Sequence, residues 1–171
     1  MVGEWRAVRL TNKIHGHIGI YSLIGVKMGI RALEEFRALG LSDHVTIVSH
    51  TGLVPPVSCL NDGLQISTGA TLGHGAITVV SGFPVGAGND GVVAPDSDRG
   101  SSAEPSAEFT CEGKTLVLSL KPAVAAQIRD DISRGVALYG HSPKYWKYVE
   151  RLSKRYRFTL KRREIFDIVA K

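Results

Sequence analysis

Residues 18–39 read IGIYSLIGVKMGIRALEEFRAL, and their apolar side chains recur at spacings of three and four residues. This spacing is typical of an amphipathic helix with a long buried face. Gly40 follows at the position where helices commonly end on a left-handed residue. The stretch therefore predicts one long helix that packs against the rest of the fold.

Shorter patterns after this helix predict a strand, a second helix and three further strands. Residues 45–48 form a short β-branched run, and residues 57–66 have helical spacing after two prolines. Three more runs typical of strands follow at residues 76–80, 107–111 and 115–120. Helices and strands are segregated along the chain rather than strictly alternating, so the expected fold class is α+β.

Two more helices are predicted near the C-terminus, and the second of them, beginning near Ser142, is strongly basic. Residues 144–163 hold nine basic side chains against the single acid Glu150. Such a segment is either the solvated face of a helix or a footprint for nucleic acid or an acidic partner. The apolar residues of this helix fall on one face, which we expect to pack inward and leave the cations in solvent: Trp146, Val149, Leu152 and Tyr156.

One compact domain is expected, because 171 residues with 43% hydrophobic content are enough to bury one core. Residues 1–122 are predicted to form the α+β part, and residues 123–171 a basic helical extension packed on it. Residues 83–106 are rich in Gly, Pro and Ser and have no periodicity, which predicts a mobile flap or a disordered insertion.

The sequence also indicates a compartment. No segment approaches the roughly 20 apolar residues of a membrane span, and the first residues lack the apolar run of a signal peptide. We therefore expect a cytoplasmic protein without membrane contact. In that compartment Cys59 and Cys111 are expected to be free thiols.

A pair of histidines stands immediately before the long helix. His15 and His17 flank Gly16. In an extended segment their side chains would point to the same side, where both imidazoles can meet one cation. Two histidines near a helix start are also typical of a capping residue and a solvent-exposed one. These residues alone leave both interpretations open.

Three residues further along the chain are candidate partners of the histidine pair. Cys59 lies near the start of the second predicted helix, where the helix N-terminus favours the thiolate that metals bind. Asp62, one turn on, is either a direct ligand or the acceptor of a histidine N–H. His74, between two glycines, is a fourth candidate ligand. The alternative is a small buried thiol, an acid of the first helical turn and a histidine in a turn.

Four separated motifs agree in order and spacing with one known family. They are HGHI at 15–18, GVKMG at 25–29, Cys59 with Asp62 and Gln65, and TGATLGHG at 68–75. Over about residues 13–120 the chain resembles the E-type subunit family of formylmethanofuran dehydrogenase, without the zinc finger that many members append. The resemblance implies helix, strand, helix and three strands in a mixed sheet, similar in topology to the catalytic domain of glyceraldehyde-3-phosphate dehydrogenase.

The resemblance also assigns site residues. It makes His15, His17 and Cys59 the ligands of one divalent metal ion. It makes Asp62, Gln65 and His74 additional ligands or their hydrogen-bond partners. The surrounding loop contributes Thr68, Gly69, Gly73 and Gly75.

The chain departs from the family pattern at two cysteines. Residues 19–21 replace a Cys-Pro-Gly, and Ala70 replaces a second cysteine. These losses disfavour a sulfur-rich or redox-active site and favour Zn²⁺ held mainly by histidine.

The implied function is a metal-binding protein that is auxiliary to, or an enzyme of, one-carbon metabolism or molybdenum and tungsten enzymes. The resemblance names no reaction. The expected partners are a second copy of the chain and subunits of an oxidoreductase. The alternative function is a nucleic-acid or acidic-partner binding module that uses the basic C-terminal helices. Nucleic acid is the less favoured partner, because the aromatic residues of that segment are expected to pack inward.

Overall fold

A computed structural model describes residues 3–80 and 104–171, which contain five α-helices and five β-strands. The helices are α1 (Glu4–His15), α2 (Ile20–Ala38), α3 (Leu60–Thr68), α4 (Pro122–Tyr139) and α5 (Pro143–Thr159). The strands are β1 (Thr46–Ser49), β2 (Ile77–Val79), β3 (Ser106–Cys111), β4 (Lys114–Leu120) and β5 (Phe166–Ala170). Short 3₁₀ turns at Val57–Cys59 and Leu72–His74 precede α3 and β2.

The five strands form one sheet in the order β2-β1-β3-β4-β5. The β1–β2 pair is parallel and the other three pairs are antiparallel, so the sheet is mixed. One face of the central strands β1, β3 and β4 is buried, because Ile47, Phe109 and Leu118 are at most 2% exposed. The α+β class with a mixed sheet, predicted from the sequence, is confirmed.

The core lies between this face of the sheet and α2, which is buried along most of its length. Helix α3 packs on α2 with almost no space between the two backbones. A Cβ atom on Gly25 would lie 2.0 Å from the carbonyl oxygen of Leu60, and one on Gly63 would lie 2.1 Å from that of Ser22. The two glycines therefore set how closely α3 approaches α2.

The predicted order of elements is found, with one helix before it and one strand after it that the sequence patterns did not predict. Helix α1 ends at His15, and the left-handed Gly16, with φ of 85°, separates it from α2. At the other end, β5 pairs with β4 and extends the sheet by one edge strand. The predicted helix at 57–66 is the 3₁₀ turn followed by α3.

The C-terminal segment is fixed to the first two helices by buried charges. The Lys27 side chain, 1% exposed, donates to Glu4 Oε1 at 2.7 Å and to the Arg157 carbonyl at 3.1 Å. The Arg162 guanidinium bonds both Glu4 and Glu34. These contacts, together with β5 in the common sheet, join the C-terminal segment to the rest of the fold. The division of the chain at residue 122 stays a prediction.

The sequence predicts a flap before β3 and no membrane-spanning segment. The predicted flap at 83–106 lies mostly outside the described residues, and its last residue, Ser106, begins β3. In the described parts of the chain, no helix has the length and apolar character needed to cross a membrane.

Candidate metal and ligand site

A cavity of about 230 Å³ lies where the C-terminal end of α1, the start of α2, the turn before α3, and α5 come together. Its wall is mostly apolar and aromatic, and three of its members are the predicted metal ligands. The lining residues are His15, His17, Gly19, Ile20, Tyr21, Pro55, Pro56, Cys59, Ile132, Tyr145, Trp146 and Val149.

The fold holds His15 in one orientation. Its Nδ1 lies 2.7 Å from Asp62 Oδ2. In the tautomer that donates from Nδ1 to the carboxylate, Nε2 keeps its lone pair and faces Gly19. A Cβ on residue 19 would lie 3.0 Å from Nε2, so glycine leaves the space that the ring occupies. A carboxylate behind an imidazole is the usual support of a metal-ligating histidine.

The left-handed Gly16 reverses the chain and brings the second imidazole beside the first. The ring centroids of His15 and His17 are 4.6 Å apart. The turn at the end of α1, and not an extended segment, places both rings on one side. Burial, and secondly the neighbouring His15, lower the pKa of His17. This favours the neutral imidazole, which is the form that binds metals.

Cys59 is half-buried at the start of α3, and its thiol behaves differently from the sequence-based expectation. The helix N-terminus was expected to favour the thiolate. Instead, burial first and the negative charge of Asp62 second raise the pKa of the Cys59 thiol. A metal bound here would have to displace the thiol proton, so metal binding would release protons.

The chemistry of these donors fits zinc, since two imidazoles and one thiol are ordinary Zn²⁺ ligands. Their positions do not yet form a metal site. Among residues 3–80 and 104–171, no three His, Cys, Asp or Glu side chains form a group that could hold a metal ion. His15, His17 and Cys59 share one cavity wall but do not converge on one point. Binding a metal through all three would require their side chains to move.

The other predicted site residues lie outside the cavity lining. The Gln65 side chain accepts a hydrogen bond from the Leu72 backbone N–H at 3.1 Å and fixes the loop after α3. Thr68 and Gly69 end α3, Gly69 in the left-handed conformation. Gly73, His74 and Gly75 belong to the following 3₁₀ turn, which Gly75 ends. In this arrangement these residues shape the loop rather than the wall of the cavity.

The aromatic side of the cavity was not predicted as a site. Tyr145 and Trp146 belong to α5, and their ring centroids lie 5.3 Å apart. Trp146 meets the His17 ring edge-on at 5.9 Å and stays 56% exposed, although its helical spacing predicted inward packing. Val149, Leu152 and Tyr156 do pack inward. Trp146 stands one turn before them, where α5 reaches past the core.

Most of the basic side chains at 144–163 have partners within the fold. The ion pairs join Lys154 to Glu150, Arg155 to Asp131, Lys161 to Glu164, and both Arg162 and Arg163 to Glu34. Lys144, Lys147 and Arg151 make no ion pair with any residue that the structure describes. These three line an open groove of about 400 Å³ on α5.

The fold and the cavity define a class: an α+β domain with one histidine-, cysteine- and aromatic-lined cavity beside a closely packed helix pair. Residues 14–127 match the family described as FmdE, Molybdenum formylmethanofuran dehydrogenase operon. The match covers more than half of the chain, and the chain belongs to this family. The resemblance found from the sequence motifs is confirmed.

One curated relative is a protein of Archaeoglobus fulgidus named "Probable S-adenosyl-L-methionine-binding protein". It is 31% identical over 75 residues, which are 42% of this chain and 20% of that protein. The chain thus spans about one fifth of the length of this relative.

Proposed function

We propose that the protein binds one divalent metal ion, with Zn²⁺ preferred, in the cavity through His15, His17 and Cys59. As a member of a family named for the formylmethanofuran dehydrogenase operon, it would serve one-carbon metabolism or molybdenum and tungsten enzymes, alone or with oxidoreductase subunits. The bound ion would supply Lewis-acid chemistry and, with three protein ligands, an open coordination position.

One observation carries this proposal. His15 and Cys59 are 44 positions apart in the sequence, yet both line one cavity with His17. The contact between His15 Nδ1 and Asp62 adds the carboxylate support that metal-ligating histidines usually have. The neutral state favoured for His17 suits a ligand.

Elemental analysis after dialysis against a weak chelator tests the proposal. The unchanged protein is expected to hold one zinc per chain, and His17→Ala and Cys59→Ala are each expected to lose most of it. A three-ligand site that loses one ligand is expected to fall at least about tenfold in affinity. His44→Ala is the matched control, because His44 is exposed and lies outside the cavity. Undiminished zinc in both site variants would rule out these ligands.

A second candidate ligand is an adenosyl compound, favoured by the aromatic wall of the cavity and by the name of the Archaeoglobus relative. Tyr145 and Trp146 line the cavity, and aromatic rings are side chains against which a purine can stack. No Asp, Glu, Lys or Arg lines the cavity among the described residues, so the wall suits the uncharged, planar adenine ring of such a compound.

Calorimetric titration with S-adenosylmethionine tests this candidate. We expect binding that Trp146→Ala weakens about tenfold, because stacking on an aromatic side chain contributes roughly 1–3 kcal/mol. Tyr139→Ala is the control, since Tyr139 lies outside the cavity lining. The titration is run with and without zinc, so that metal binding and adenosyl binding are separated. Heats that Trp146→Ala leaves unchanged would exclude this cavity as the adenosyl site.

The remaining proposals concern assembly and topology. We propose that two copies of the chain form a homodimer through the solvent-facing side of the sheet. The likeness to the catalytic domain of glyceraldehyde-3-phosphate dehydrogenase also stays a prediction. Nucleic-acid binding by the basic helices is less favoured, because most of their cations are engaged in ion pairs within the fold.

A further inference from the structure

The outward face of α1 combines cations with large exposed apolar side chains. Trp5, Leu10 and Ile14 are 50%, 37% and 67% exposed. Three exposed cations lie among them and make no ion pair in the described parts of the chain. The six residues, named here the α1 surface, are Trp5, Arg6, Arg9, Leu10, Lys13 and Ile14. Most of this surface precedes residue 14, where the family match begins.

Around the helix axis, the cations of the α1 surface lie in the middle and the apolar side chains on both sides. At about 100° per residue, the three cations fall within a central arc of about 60°. Trp5 borders this arc on one side, and Leu10 and Ile14 border it on the other. The buried side of α1, with Ala7 and Val8, already packs on the core. The exposed apolar residues therefore lie between the cations and the buried side of the helix, on both borders of that side.

Trp5 is also held in place. The centre of the Arg157 guanidinium lies 3.2 Å from the centroid of the Trp5 ring and 4.6 Å from that of Phe158. Phe158 is 69% exposed, so it extends the apolar border onto α5. Tryptophan and arginine are the residue types that most often anchor protein interfaces, and a fixed ring loses less side-chain entropy on binding.

We propose that the α1 surface docks an acidic polypeptide segment of a partner protein. Carboxylates of the partner would meet the central cations, and its apolar side chains would cover Trp5 on one border and Leu10 with Ile14 on the other.

The arrangement disfavours two other polyanions. A helix lying on a membrane presents one continuous apolar face with cations at its borders, which is the reverse of the order seen here. Nucleic acid gains affinity from many phosphate contacts, and three cations supply few.

The test uses the full-length protein and a labelled helical peptide with glutamates at positions i, i+3 and i+7, bordered by leucines on both sides. Fluorescence anisotropy measures its binding, beside a peptide with glutamine in place of glutamate. We expect Arg6→Glu with Arg9→Glu to weaken binding at least about tenfold, since like charges face each other across the interface. Trp5→Ala is expected to weaken it without changing the net charge.

The matched control is Lys144→Glu with Lys147→Glu, which has the same spacing and the same change of charge on exposed, unpaired residues of α5. Its affinity should stay within about twofold of the unchanged protein, because it lies outside the proposed contact. An equal loss in both double variants would show attraction by net charge alone and overturn the proposal. So would failure to bind the acidic peptide, or tighter binding to phosphatidylserine vesicles or to a single-stranded oligonucleotide. Circular dichroism melts confirm that each variant is folded.

Discussion

Gly63→Ala is expected to destabilise the protein by at least about 3 kcal/mol, at the upper end of what overpacking usually costs. The added Cβ would lie 2.1 Å from the Ser22 carbonyl oxygen and 2.5 Å from the Val26 backbone nitrogen. Backbone atoms cannot rotate away as a side chain can. Helix α3 would have to move off α2, which would expose apolar surface along the contact. Gly25→Ala is expected to act in the same way.

Thermal and urea unfolding measure this effect. For a chain of this size, a loss of about 3 kcal/mol lowers Tm by roughly 6–12 °C. Gly73→Ala is the matched control, because a Cβ there meets no atom within 4 Å. A Gly63→Ala protein as stable as that control would show that the two helices separate without cost. Since Asp62 precedes Gly63, displacement of α3 should also lengthen the contact to His15, and zinc content would fall together with stability.

The elements that the sequence predicted well are those whose burial is periodic. Helix α2 buries Leu23, Val26 and Phe36 against the core, so its pattern predicted a helix over residues 18–39. The strands β3 and β4 were predicted for the same reason. Helix α1 was missed because its fully buried residues are small or polar, namely Ala7, Val8 and Thr11. These side chains bury little apolar surface, and contacts with α2 and α3 stabilise the helix.

The candidate site was predictable only in part. The histidine pair and Cys59 were found from sequence motifs, and Asp62 was given two roles, of which the hydrogen bond to His15 matches the second. The contribution of α5 to the cavity wall could not be predicted, because no local sequence pattern shows that residues 145–149 fold back beside residues 15–17. The pKa of Cys59 was predicted with the wrong sign. The position of Cys59 in the sequence showed only the nearby helix N-terminus, which lowers a thiol pKa. The burial and the Asp62 charge that raise the pKa depend on the folded structure.

The solvent-facing side of the sheet is the basis of the last prediction. The β-strand register aligns Val48, Glu108, Val117 and Val169 in one row across four strands. Val48 and Val169 are 37% and 59% exposed, whereas Ile47, Phe109 and Leu118 on the opposite face of the central strands are buried. Helix α5 packs on α2, so it does not supply a cover for this row. A twofold-related copy would bury the row against itself, and dimers of this symmetry are the commonest soluble oligomers.

Light scattering of the unchanged protein at micromolar concentration and moderate salt is therefore expected to give twice the chain mass of 18.4 kDa. Val48→Lys combined with Val117→Lys should give the single chain mass, because the twofold axis would bring four added cations together. The Glu108 between them in the row already bonds Lys171 and His50, so it cannot neutralise them all. We expect the dissociation constant to rise at least about a hundredfold, since uncompensated charges in an interface cost several kcal/mol.

Leu138→Lys is the matched control, because Leu138 is 62% exposed on α4 and lies outside the sheet. This variant should stay dimeric. A monomeric mass for the unchanged protein would show that one chain closes its own core and would end the dimer proposal. A dimer that survives both lysines would place the contact elsewhere. Because the cavity lies on the helical side of the sheet, dissociation should leave zinc content unchanged, which separates assembly from metal binding.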